Sequence, residues 1–456
     1  MRSHILVLEG ELELLSPVLI GGGVNDTTDA DVLLNGDGVP FIPATSFLGA
    51  LRHCLDEWIK DSNYDAELKG QIWGSGNDDG STSCPSSLAC SDLTPTSEAK
   101  IAIRDGIRIN PETGQVFAGA KFDYQVLERG TRFNLRLEMD IHQGDPKSFR
   151  RFIATLCKLL RDGQLRLGAR TGKGLGRVKL LEDKIYFYDF SKENDVYSWL
   201  SGKEKEPETN CPELFAEKSP YNFELTGEFD LKTSFLSRSY SVQPQTPDVE
   251  SIRSAEAYVI TGSSLRGAVR ARADKILETI GKKETERTAM LESLFGYVSE
   301  KKDASIPAKK GRIFIEETIL PKEYPSEVQT RIQIDRFTGG TVPGAFLEEM
   351  PVFSSKNLGD PIKIEIKIKG CTEEEAGLMT LILKDLWTGD LAVGGGKAVG
   401  RGVFQGKSAH IQYQEEVVEL KGENGSISFS DPKKILQGWI DALNVQKEEP
   451  RHVDRN

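Results

Sequence analysis

The chain opens on His4-Ile5-Leu6-Val7-Leu8-Glu9-Gly10-Glu11-Leu12-Glu13-Leu14, whose second half alternates polar and apolar positions as a half-buried strand does. Gly21-Gly22-Gly23 ends that strand, and a polar, acidic loop follows to about Asp31. The pattern then predicts a short strand over 31–34 and a turn at Asn35-Gly36-Asp37-Gly38, with Val39-Pro40-Phe41-Ile42 following. Ser46 is placed to cap a helix running to about residue 59. A Gly/Ser/Asp-rich insertion follows Trp73 through about residue 97. Strands over 100–109 and 132–142, a helix over 146–161, a glycine-rich loop and a closing strand over 177–181 complete the first half. Residues 201–220, polar and rich in Glu, Lys and Pro, read as a linker. The second half runs through the same order: strand 222–231, polar loop 237–254, helix 264–280, strands 312–319 and 361–368, helix 373–386 and a second glycine loop. Residues 431–456 read as one amphipathic helix with a polar, frayed end.

The two halves also share words. Gly172-Lys173-Gly174-Leu175-Gly176-Arg177 returns 224 residues later as Gly396-Lys397-Ala398-Val399-Gly400-Arg401. Ile42-Pro43-Ala44-Thr45-Ser46-Phe47-Leu48-Gly49 is echoed at offset 218 by Ile260-Thr261-Gly262-Ser263-Ser264-Leu265-Arg266-Gly267, and Trp73-Gly74 at offset 222 by Phe295-Gly296. Words recurring in one order at nearly constant offset mark a tandem duplication. Each half follows the split βαβ, or ferredoxin-like, plan with inserted loops, an α+β fold. The domains expected are 1–200, a linker 201–220, 221–430, and a C-terminal helix and tail 431–456.

Composition narrows the class. With 38% hydrophobic and 28% charged residues the chain is a soluble globular type, and no apolar run is long enough for a bilayer. No leader pattern precedes it, so a cytoplasmic, unprocessed protein without membrane partners is expected. The six cysteines are scattered, as suits a reducing compartment. A net charge of −12 argues against indiscriminate polyanion binding. Yet the glycine-rich segments are locally cationic, with Arg166, Arg170, Lys173 and Arg177 in one and Lys397 and Arg401 in the other. That arrangement suits a defined nucleic-acid groove.

Three words together resemble a known family. They are Ile260-Thr261-Gly262-Ser263-Ser264-Leu265-Arg266-Gly267, then Ile334-Asp335-Arg336-Phe337-Thr338-Gly339-Gly340 with Gly344-Ala345-Phe346-Leu347-Glu348-Glu349 after it, and the glycine loop near each repeat's end. In that order they resemble the RAMP proteins of CRISPR systems, specifically backbone subunits of type III effector complexes, here with two RRM-like RAMP domains fused in one chain. The resemblance implies binding of CRISPR guide RNA, pairing with a single-stranded target RNA, and assembly with other type III subunits. It also implies thumb-like hairpins within 100–132 and 312–353. The physics of the words agrees. Hydroxyls and free N–H groups at a helix start suit phosphate, which nominates Ser46, Ser263 and Ser264, with Arg266 and Arg270 a turn apart and Arg52 in the first repeat. Thr338 lies in the second family word. Glycine loops allow close backbone approach, with Lys173, Arg177, Lys397 and Arg401 neutralising charge. The bland alternative is that the serines only cap helices and the glycines only turn. Leu48 stands where the family has a basic residue.

In the resembled family an aspartate in the loop before this helix cleaves target RNA with a divalent cation such as Mg2+. Asp29 precedes Gly49 by 20 residues and Asp248 precedes Gly267 by 19, making these the catalytic candidates, with Asp26 or Asp31 open in the first repeat and Glu250 close by in the second. The metal ligands are not defined by any motif. The five histidines form no paired motif, against a histidine acid–base ribonuclease. Cys84 and Cys90 are candidate zinc ligands with His53 and Cys54 nearby in sequence, though Cys-x5-Cys is loose and two free thiols in an insertion are the plainer reading. Gly172-Lys173-Gly174 is not a Walker motif, because it follows a helix and precedes a strand. Two alternatives stand beside the nuclease: a non-catalytic guide-holding scaffold, and a ferredoxin-like small-molecule enzyme.

Overall fold

A computed structural model of the chain describes residues 3–22, 28–75, 84–110, 113–142, 144–202, 205–208, 213–240, 246–297, 308–322, 324–354, 360–423, 426–430 and 434–444. The chain divides into two compact units, Met1–Thr171 with Leu175–Pro220, and Gly172–Gly174 with Tyr221–Asn456.

In the first unit a four-stranded antiparallel sheet runs in the order Leu88–Cys90, Arg132–Ile141, His4–Leu14, Val178–Asp189. With the first strand central and the last at one edge, this is the ferredoxin-like order. The helix Pro146–Arg161 explains how the core forms. Pro146 sits at its first turn and Asp145 caps it, while Phe149, Phe152, Ile153, Leu156 and Leu160 recur at helical spacing and are buried. They share one core with Leu6, Leu8, Leu12 and Leu14 of the central strand and with Phe47, Leu51 and Leu55 of the helix Ala44–Trp58.

Two expectations change here. The strand expected over 100–109 is outside the sheet: Ile101–Ile109 pairs with Val116–Leu127 as a long hairpin. The second strand position is filled instead by Leu88–Cys90, which the polar insertion supplies. A Gly/Ser-rich stretch masked that strand because it is only three residues long. The expected cap also shifts. The helix begins at Ala44 after extended Pro43, so Ser46 lies inside the first turn, and the Asp92 carboxylate takes the Ala44 N–H at 2.8 Å.

The second half of the expected linker packs on the first unit. Phe215 is buried, its N–H donates to Thr155 Oγ1 at 3.0 Å, and its ring lies 5.8 Å from Tyr64.

In the second unit the same order appears, Ile313–Ile315, Ile362–Lys369, Tyr221–Leu231, Phe404–Tyr413, and the sheet continues through Glu416–Glu423 and Ser426–Ser430. The helix Glu373–Thr388 carries a capping box from Thr372 and Glu375 and buries one face on this sheet. Of the expected tail helix, Ile435–Asn444 is described, and it buries Trp439 and Leu443. A second hairpin, Gln329–Ile334 with Thr341–Met350, is continued by Val249–Ser251 and Arg238–Tyr240 into a four-stranded sheet. Both hairpins fall inside the segments expected to hold them. Both expose apolar side chains, Ile103, Ile109 and Phe117 on the first, Ile332, Phe337 and Phe346 on the second.

Candidate functional site

The first helix of each unit, Ala44–Trp58 and Gly262–Thr279, presents a matching exposed stripe. In the first unit Thr45, Gly49 and Arg52 face outward; in the second, Ser263, Gly267 and Arg270 do, each 218 residues on. A Cβ at Gly49 or Gly267 would meet nothing within 4 Å, so packing does not require either glycine. Glycine inside a helix is unfavourable by about 1 kcal/mol relative to alanine. Two such glycines stand at the same place on two helices, where neither helix propensity nor packing accounts for them.

The serine words divide differently. Ser46 is exposed, one position beyond Thr45. Ser264 is half-buried in the cap, where it receives a 2.8 Å bond from Thr261 and its own N–H reaches Thr261 Oγ1 at 3.3 Å. Thr45, which pattern reading missed, is the counterpart of exposed Ser263; the offset of 218 was the signal. Arg270 is exposed, with its guanidinium 5.9 Å from the Phe295 ring. Arg266 turns inward and donates to the carbonyls of Ile313 (2.6 Å) and Phe295 (2.9 Å). Burial, aided by Arg270, pushes its pKa down to about 10.

The glycine loops align two residues away from the shared word. Leu167 N–H donates to Gly176 O at 2.8 Å, and Val393 N–H to Gly402 O at 2.9 Å, an offset of 226. The single helical turns Thr171–Lys173 and Lys397–Val399 keep that offset, as do the left-handed positions Gly168, Arg170, Gly174 and Gly176 against Gly394, Gly396, Gly400 and Gly402. At Gly402 the fit is tight as well as left-handed, since a Cβ would sit 1.8 Å from Val393 O. The match of Gly-Lys-x-x-Gly-Arg at offset 224 is therefore a slip of register, produced by glycines spaced two apart. Arg401 stands opposite Leu175, and Arg177 opposite Val403.

Their surroundings agree. Leu175 is buried against Tyr124 and Val126 of the first hairpin. Arg401, 2% exposed, donates to Glu349 Oε2 at 2.8 Å and Gln329 Oε1 at 2.7 Å on the second hairpin. Glu349, 1% exposed, also pairs with Arg331 at 3.2 Å and Arg238 at 3.4 Å. Lys173 and Lys397 are exposed and Arg177 is half-buried. Thr338 lies at the turn of the second hairpin, its N–H and hydroxyl both bound to Asp335 Oδ1. Those bonds hold the Asp335 carboxyl below its ordinary value.

The candidate aspartates occupy equivalent places. Asp29 is exposed, and its Oδ2 accepts the N–H of Asp123 on the strand Val116–Leu127 at 3.1 Å. Asp248 is exposed, and its Oδ2 accepts the N–H of Glu348 on the strand Thr341–Met350 at 2.9 Å. Each therefore leans on the second strand of its unit's hairpin. In the first unit the contact is doubled, because Asp29 N–H also donates to Asp123 Oδ1 at 3.2 Å. Asp31 is buried and takes the Thr28 hydroxyl, which sets it apart from exposed Asp29. Asp26 lies outside the described residues. Glu250 belongs to the strand Val249–Ser251, which runs parallel to the hairpin strand.

Among the described residues no three carboxylate, histidine or cysteine side chains gather as a metal cluster. Asp29 meets both the N–H and the carboxylate of Asp123, whereas Asp248 meets the backbone N–H of Glu348. Cys84 is exposed; the Cys90 thiol is pushed up to about 12 by burial, aided by Asp92. No helix among the described residues is long and apolar enough to cross a membrane.

The family model for the RAMP superfamily matches residues 11–179 and 241–405, once in each unit. A search of curated proteins finds no match.

Proposed function

This chain belongs to the RAMP superfamily, a family of CRISPR-associated RNA-binding subunits, and from that premise we propose that it is a fused backbone subunit of a type III CRISPR ribonucleoprotein that cuts target RNA at up to two sites. The observation that supports the cutting is the repeated placement of Asp29 and Asp248, each exposed and each seated against the second strand of its unit's hairpin. Guide RNA would run over the stripes Thr45–Gly49–Arg52 and Ser263–Gly267–Arg270, with Lys173 and Lys397 beside it. Arg177, Ser46 and Thr338 are secondary contacts in this reading, while Ser264, Arg266 and Arg401 shape the surface from within. The exposed apolar hairpins would wedge against the guide–target duplex and leave a target nucleotide unstacked beside each aspartate.

Asp29 or Asp248 would take the proton of a ribose 2′-hydroxyl. The 2′ oxygen then bonds to the adjacent phosphorus as the bond to the 5′ oxygen breaks, and the 5′ oxygen takes a proton from solvent. Two carboxylates in the first unit and one in the second suit a hydrated divalent cation, which usually draws only one or two protein carboxylates and completes its shell with phosphates and water. Asp29 with Asp123 in the first unit, and Asp248 in the second, are the residues that would hold it. Bound there, the cation supplies charge stabilisation at the reacting phosphate.

The test is end-group analysis of a labelled target RNA cut by the complex reconstituted with guide RNA and magnesium. Two cuts ending in 2′,3′-cyclic phosphate and 5′-hydroxyl are expected, both lost with Asp29→Ala and Asp248→Ala together. A wild-type complex that binds target and never cuts it makes the chain a scaffold. Turnover of a small molecule by the isolated chain would sink both readings.

A further inference from the structure

We infer that each glycine loop sets the position of its unit's aspartate through the hairpin strand between them, by Arg170 in the first unit and by the buried Arg401–Glu349 pair in the second. The inference rests on the reading of Asp29 and Asp248 as the cutting residues. Arg170 and Arg401 are positioning residues in it and touch no RNA.

In the first unit Arg170 holds a left-handed backbone (φ 60°) where its counterpart is Gly396 (φ 73°). A non-glycine residue there is strained and persists only where its surroundings hold it. What holds it is a double stack: the guanidinium lies 4.7 Å from the Phe122 ring centre and 4.3 Å from that of Tyr124. Those rings are themselves stacked, 6.0 Å apart. Phe122 and Tyr124 flank Asp123 on the strand and point to the face opposite to it. Asp123 is the residue whose N–H and carboxylate grip Asp29.

In the second unit the same three-part line is drawn with other chemistry. Arg401 binds Glu349, and Glu349 follows Glu348, whose N–H holds Asp248. Val249, next after Asp248, pairs directly with Glu349. A buried ion pair is commonly no more stabilising than an apolar pair of the same volume. The first unit fills the Arg401 position with Leu175, so the fold does not need a charge there. What the pair adds is direction: a guanidinium fixed by two acceptors defines where the hairpin strand lies relative to the loop. Exposed Lys397, four residues before Arg401, gives guide phosphate a seat on the same loop. Guide occupancy and aspartate placement are thereby joined.

The test uses the complex assembled with guide and target RNA and reads each cut separately under single-turnover conditions. Arg170→Gly installs the residue natural to that backbone, so the strain it relieves offsets the stack it removes. The cut assigned to Asp29 should nevertheless slow by about ten- to a hundredfold, the effect of a small misplacement of a reacting group. Arg170→Lys, which keeps a cation over the rings, should restore most of that rate. Arg401→Met with Glu349→Leu removes both buried charges together, and should slow only the cut assigned to Asp248. In both cases the target concentration for half-maximal rate stays as in wild type. Wild-type rates at both cuts in Arg170→Gly and in the paired variant would overturn the inference, as would an equal slowing of both cuts by either one. If Asp29→Ala and Asp248→Ala leave the cuts in place, it is the underlying reading that fails.

Discussion

Asp29 and Asp123 exchange two hydrogen bonds, Asp29 N–H to Asp123 Oδ1 at 3.2 Å and Asp123 N–H to Asp29 Oδ2 at 3.1 Å. Asp248 has one such bond, from Glu348 N–H at 2.9 Å. The duplicated units thus hold their aspartates at one address by unequal means. Asp123→Ala, which removes one acceptor from the doubled contact, should slow the cut assigned to Asp29 more than Glu348→Ala slows the other, because the Glu348 contact uses only its backbone. Equal effects of the two changes would show that the side chains act otherwise.

Gly49 and Gly267 separate folding from binding. Alanine at either should raise stability by up to about 1 kcal/mol, since nothing crowds the new methyl group. The same change should weaken guide RNA by roughly tenfold, about 1.4 kcal/mol. Thermal denaturation and filter binding on one preparation check both. A variant both more stable and equally tight would remove the stripe from the interface.

Arg52 and Arg270 are exposed ends of those stripes. Each replaced by alanine should lower the slope of log affinity against log salt by about 0.7, the value for one phosphate contact on a single strand. An unchanged salt slope would place both outside the RNA path.

Asp61 ties residues 213–218 to the first unit. Its carboxyl is held below the ordinary range by the backbone N–H groups of Asn63 and Ala216, against burial, with the Asn63 amide and Arg151 helping. A depressed folded pKa contributes stability that is complete above the unfolded value, about 3.9, and is lost as pH falls through the folded one. Pepsin should therefore begin to cut 213–218 below about pH 4 in wild type. Asp61→Asn should be cut with little dependence on pH. Matching pH profiles for the two proteins would contradict the assignment.

Phe152 is fully buried and Leu200 is 78% exposed. Phe152→Ala should destabilise the first unit by about 3–5 kcal/mol. Leu200→Ala should stay within about 0.5 kcal/mol. Denaturant midpoints decide, and similar losses at the two positions would misplace the core.

Periodicity carried most of the core. Phe149, Phe152, Ile153 and Leu156 stand at helical spacing in the chain, and the alternation through Leu12 and Leu14 marks the central strand. Leu88–Cys90 was not legible, because three residues cannot show a period and their strand character comes from pairing with Arg132–Ile141. The hairpin Ile101–Ile109 has a strand's composition, but composition does not say whether a strand joins the sheet or leaves it. The glycine loops misled by two residues, because repeated glycines let a word match in more than one register; left-handed Arg170 against Gly396 settles the alignment. Asp29 is nominated by its distance from Gly49. Its separation from Asp31 needed burial, and its link to Asp123 needed a contact across 94 residues.

The most direct measurement follows both cuts in one labelled target with Asp29→Asn, Asp248→Asn and the double variant, each assembled with guide RNA. Asparagine keeps an oxygen for the Asp123 or Glu348 N–H and loses the carboxylate. Each single variant should erase one product, a different one in each case, and the double variant should erase both while binding target as tightly as wild type. Two undiminished products in the double variant would contradict the account.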